Sequence, residues 1–148
     1  MPDTQDPFAR LRELSQPGVL LDPEVLAKVL EVLSDAVIVV NEAGTIVYVN
    51  HAATLMFGYV EQGMVGHQIE MLLPADVHDA HVQHRTGFFR APRTRPMGFG
   101  HPLRGRHKNG TELSLNVRLA PIVTVDGTFA IAVARDAEVP TSVSGHGP

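Results

Sequence analysis

Three of the eight histidines, His78, His81 and His84, recur at every third position near the middle of the chain, and His101 follows downstream. An unprotonated imidazole nitrogen is a good metal ligand, and its ordinary pKa lies close to neutral pH. On one helix, residues three apart are separated by ~60° around the axis, so the trio spreads over about 120°. Two of them could grip one ion, but tetrahedral zinc also asks for thiolate or carboxylate partners. The chain has no cysteine, which removes disulfides, thiolate metal sites and thiol nucleophiles. Neither a Gly-x-Ser-x-Gly elbow, a phosphate-cradling glycine loop nor a His-Glu-x-x-His pair occurs. Asp76 and Asp79, beside the histidines, read as solvated helix residues, and the chemistry expected is binding rather than catalysis.

The rest of the composition bounds what can position these groups. The 148 residues are 44% hydrophobic and 19% charged, enough for one domain with a real core. A net charge of −4 supplies no overall basic field for nucleic acid. The basic cluster from Arg85 to Lys108 is interrupted by prolines and reads as loop and strand face. No segment reaches the ~18 apolar residues of a membrane span, and the start MPDTQDPF lacks a signal-peptide pattern. A cytoplasmic protein without membrane or nucleic-acid partners is the expectation.

Asp6-Pro7 and Asp22-Pro23-Glu24 each carry helix-start chemistry, a capping side chain followed by proline at the first helical position. Leu26, Val29, Leu30 and Leu33 then form an apolar stripe that must pack on something, so residues 1–33 are expected to be a helical, dimerising flank. Ala36–Val40 and Thr45–Val49 flank Asn41-Glu42-Ala43-Gly44 and predict a hairpin. Short helical pieces are expected at 50–56 and 65–73, the second stopped by Pro74, and a longer helix at 75–89. Residues 90–96 read as a connector. Strands follow at 97–107, 111–121 and 127–135, punctuated by Asn109-Gly110 and Asp126-Gly127. The tail 138–148 is Ser/Gly/Pro-rich and reads as disordered. Strands, then grouped helices, then strands predict an α+β fold: an antiparallel sheet of about five strands, short helices on one face, and a ligand space between.

Ser34-Asp35-Ala36-Val37-Ile38-Val39-Val40, Gly44-Thr45-Ile46-Val47-Tyr48-Val49-Asn50 and Leu55-Met56-Phe57-Gly58-Tyr59 resemble the opening of a PAS domain. Leu72-Leu73-Pro74, then Gly105-Arg106-His107-Lys108-Asn109-Gly110, and finally Arg135-Asp136 continue that resemblance in order, over roughly residues 30–137, and the domain itself is placed at 34–137. His51 departs from it, standing where the family usually has proline. The resemblance implies a PAS fold and a sensory, signal-transducing role with a homodimer and an output domain or kinase as partners, as in two-component systems. Photosensor classes that need a cysteine are excluded.

The haem-binding oxygen-sensor PAS domains of the rhizobial FixL type are similar in the segment between Leu73-Pro74 and Lys108-Asn109-Gly110, which aligns without a gap. That likeness implies haem b as cofactor, His81 as proximal ligand to the iron and Arg95 as a partner of the haem propionates. His101 falls on the position of a distal arginine, where it would be a distal ligand or hydrogen-bond donor. Phe99 falls where a related haem PAS phosphodiesterase has its distal methionine, with Met97 two residues out of register, and Gly87 replaces a second propionate-binding arginine. Val77, Val82, Phe88 and Phe89 are the expected apolar neighbours of His81. Beside the haem-based gas or redox sensor stands the alternative of a cofactor-free module for interaction and dimerisation, with His81 a half-buried helix residue.

Overall fold

The computed structural model describes residues 23–97 and 102–137, and the chain divides into two compact units, 1–33 and 34–148. In the first unit, helix α1 spans Pro23–Val32. It begins at the expected proline, whose fixed φ suits a first helical position where no N–H is needed. Val25, Val29, Val32 and Leu33 are exposed. The helix expected from Asp6-Pro7 and the tail after residue 137 lie outside the described residues.

The second unit is an antiparallel sheet with helices across one face. Its strands are β1 (Ala36–Val40), β2 (Ile46–Val49), β3 (Arg95–Met97), β4 (Leu103–Arg106), β5 (Glu112–Thr124) and β6 (Gly127–Asp136). They are ordered β2–β1–β6–β5–β3, with β4 also paired to β5, so β3 and β4 share one edge and the sheet has five positions. Between β2 and β3 come α2 (His51–Phe57), 3₁₀ turns at Glu61–Gly63, Ile69–Leu72 and Ala75–Val77, and α3 (His78–Arg90). This is the α+β architecture expected from the sequence.

Local chemistry explains the joints. Asn41 Oδ1 accepts from the backbone N–H groups of Ala43 and Thr45, closing the β1–β2 turn. Asn109-Gly110 and Asp126-Gly127 make the later hairpins, and β5 pairs with β6 over ten residue pairs from Leu115↔Asp136 to Thr124↔Gly127. The first and last strands also meet: β1 runs antiparallel to β6, with Ala36 opposite Ala134. Arg135 clasps Asp35 at 2.9 Å at that same end.

Asn50 ties helix and sheet together. Its Oδ1 accepts from Ala53 N, capping α2, and also from Val37 N on β1, while its Nδ2 donates to the Asp35 carbonyl. Only 1% of the residue is exposed. The buried core gathers around it, including Ile38, Val40, Ile46, Val49, Phe57, Met64, Leu72, Phe88 and Leu115.

Two element expectations are corrected. The helical piece at 65–73 is instead a 3₁₀ turn at 69–72 preceded by chain that pairs with β2, since Ile46 N bonds to the His67 carbonyl and Gly66 N to that of Ile46. Gly66 has φ +92°, which breaks any helix there and which glycine alone adopts cheaply. The connector also ends sooner: Arg95-Pro96-Met97 pairs with Val117–Leu119 as β3, while the strand expected over 97–107 is described only as β4, from 103. Proline is tolerated in β3 because the strand lies at the sheet edge.

Candidate functional site

Every second residue of three neighbouring strands faces the helices: Ile38 and Val40 on β1, Leu115, Val117 and Leu119 on β5, and Ala130, Ala132 and Ala134 on β6. β6 is the middle strand of the sheet. Its three alanines are too short to reach α3, and the space left is a cavity of ≈ 340 Å³. That volume lies within the range of small-molecule pockets. Phe57, Leu72, Val77, Phe88 and Phe89 complete apolar walls, and the ionisable lining residues are His81, His84, Arg85 and Arg104. The small-large alternation of Phe129 to Ala134 was the sequence signal for this space.

α3 presents His81 to the cavity, and the 3₁₀ turn at Ile69–Leu72 brings Glu70 behind it. His81 Nδ1 lies 2.6 Å from Glu70 Oε2, and the same oxygen accepts from Arg85 Nε at 2.8 Å. Arg85 reaches the other carboxylate oxygen at 3.3 Å and Gln68 Oε1 at 3.4 Å, while Gln68 donates to Thr45 Oγ1. Glu70 is 6% exposed. Burial pushes its carboxyl upward, but hydrogen bonds from Arg85 and His81 and the charge of Arg85 outweigh this and hold it below the ordinary value. An ionised carboxylate only accepts, so the proton of this contact sits on His81 Nδ1, and the other ring nitrogen, Nε2, makes no hydrogen bond among the described residues.

A second charged group borders the cavity. Arg104 on β4 reaches Asp76 at 2.8 Å and Glu112 at 2.6 Å, joining the turn before α3 to the sheet. Its hydrogen bonds hold both carboxyls below their ordinary values. Asp76 is thus an exposed ion-pair partner rather than a merely solvated residue.

The residues singled out from the sequence fare differently. His81 lines the cavity, as do Val77, Phe88 and Phe89, whereas Val82 is 38% exposed and is not part of the lining. His84 borders the same space despite its rotation from His81. His78 turns to the Leu73 carbonyl at 2.9 Å instead. Among the described residues no three His, Asp or Glu side chains are arranged to hold a metal ion. Arg95 contributes backbone to β3 opposite Leu119, and Phe99 and His101 lie outside the described residues. Glu70 and Arg85 escaped the sequence reading. The available signal was a charge inside the apolar run Ile69–Leu73.

A five-position antiparallel sheet covered on one face by short helices, with an apolar cavity between them, defines a domain of the α+β class. The chain belongs to the PAS family, whose fold model matches residues 25–137. It is 26% identical over 102 residues to the oxygen sensor protein DosP of Escherichia coli strain K12, a match that spans 69% of this chain and 13% of that protein. Among solved structures, the PAS domain of an HTR-like protein from Haloarcula marismortui is similar at TM-score 0.65 and 23% identity, covering 86% of this chain and 94% of that one. A PAS domain from a two-component sensor histidine kinase is similar at TM-score 0.66 and 14% identity, over 78% of this chain and 96% of that one. The chain is thus a PAS domain. No described helix is long and apolar enough to cross a membrane.

Proposed function

We propose that this PAS domain is a haem-based gas or redox sensor, in which His81 would hold the iron, and that it signals as a homodimer to an output domain or kinase. The observation that carries the reading is the His81–Glu70 contact at the wall of an apolar cavity. Metal-bound histidines commonly give their second ring N–H to a carboxylate, and here Nδ1 is so engaged while Nε2 stays available. The surrounding residues suit a flat, largely apolar cofactor. Ile38, Leu115, Val117 and the β6 alanines would exclude water from its faces, and Arg104 at the cavity border would meet its carboxylates, the role the family likeness implies for Arg95. The family likeness would give the distal roles to Phe99 and His101. When bound, haem supplies an iron that takes up a diatomic gas or changes oxidation state. The likeness to a protein named an oxygen sensor supports the same reading.

Titrating the purified protein with hemin tests it. An intense Soret band with saturable uptake is expected, lost in His81→Ala and retained in His84→Ala. Ala132→Leu, which fills the cavity floor with a side chain the fold can hold, should also block uptake while leaving far-UV circular dichroism unchanged. Loss in His84→Ala but not in His81→Ala would move the axial role to His84. Failure of the unmodified protein to bind hemin would leave the cofactor-free interaction module as the reading.

A further inference from the structure

Glu70 does not line the cavity, yet it is the most deeply buried charged group described and is held from two sides by α3. Its Oε2 accepts from both His81 Nδ1 and Arg85 Nε, two residues one helical turn apart. A buried carboxylate is costly unless its lone pairs are satisfied, so this contact is not incidental packing. An imidazole free in water carries its proton mainly on Nε2, the nitrogen a metal would need bare. A fixed anionic acceptor on the Nδ1 side reverses that preference.

We propose that Glu70 is the positioning residue of this pocket: it locks His81 as the Nδ1–H tautomer, turns the Nε2 lone pair toward the cavity, and adds electron density that favours ferric over ferrous iron. The last part rests on the haem reading; the first does not. Arg85 acts as the counterweight. By sharing the carboxylate it withdraws charge from His81, so the two residues push the imidazole in opposite senses. Arg85 is in turn fixed at Gln68 and over the β1–β2 turn, where a Cβ on Gly44 would overlap its guanidinium. The carboxylate's share between helix partners is therefore set by the fold and not by free rotation.

The test has two independent arms. In ¹⁵N-labelled protein without hemin, two-bond ¹H–¹⁵N spectra of the histidine rings are expected to show His81 protonated on Nδ1. In Glu70→Leu and Glu70→Gln the ring should shift toward the Nε2–H form, and in Arg85→Gln it should stay as in the unmodified protein. An unchanged tautomer in both Glu70 variants, with unfolding midpoints showing that they fold, overturns the positioning role. In the second arm, hemin-loaded proteins are titrated with dithionite. The midpoint potential should rise in Glu70→Gln and fall in Arg85→Gln. A purely structural ion pair would move both the same way, which overturns the tuning role. A protein that takes up no hemin removes the haem reading and the tuning with it, while the ring spectra still decide whether Glu70 positions His81.

Discussion

Replacing Asn50 by Ala is expected to cost about 1–3 kcal/mol, because it leaves the buried Val37 N–H without its acceptor and removes the side-chain cap on Ala53 N and the donor to the Asp35 carbonyl. Urea unfolding checks this, and a loss below about 0.5 kcal/mol would mean that water replaces the amide, as it does at exposed positions. The helix-capping half of this role was legible from an Asn between a strand and a helical pattern. The half that reaches back to β1 was not, because those partners come from sheet geometry rather than from neighbours in sequence. His81 shows the same division. Its place on a helix beside apolar residues could be read from spacing and family likeness. Its engagement by Glu70 could not, since the carboxylate arrives from a separate 3₁₀ turn eleven residues earlier.

Hairpins were the most legible elements, since Asn109-Gly110 and Asp126-Gly127 declare their turns in two residues. Less legible was the stretch from 61 to 77, where three short 3₁₀ turns alternate with chain that bridges to β2, and no periodicity is long enough to mark them. The split of one edge into β3 and β4 was hidden for a similar reason: both take their register from β5. Helix α1 poses the opposite case, a clear stripe whose partner the sequence does not name. Val29 and Leu33 are exposed on it or just beyond it, and burial of such side chains is worth roughly 1.5–3 kcal/mol each. If α1 builds the homodimer, light scattering should find the full chain dimeric and a chain beginning at residue 31 monomeric. A shortened chain that stays dimeric places the interface on the sheet or the later helices.

At the scale of the molecule, most of the sheet is made from pairs that are close in sequence, β1–β2, β4–β5 and β5–β6, but β1–β6 joins residues nearly a domain apart. Closing so long a loop costs entropy before that pairing forms, and the cavity depends on it because β1 and β6 both supply its floor. The same pairing sets residues 34 and 137 at one end of adjacent antiparallel strands, with Arg135 and Asp35 in contact there. Connectivity and architecture are therefore separable in this domain: the polypeptide can be re-ordered without moving a strand. A circular permutant that joins 137 to 34 through a short Gly/Ser linker, and opens at the exposed Val125, should keep its far-UV spectrum and a single unfolding transition. Loss of the cooperative transition would show that the β5–β6 hairpin must form as a local unit first. Retention would mean that the pairing of the strands, and not their order along the polypeptide, carries the architecture.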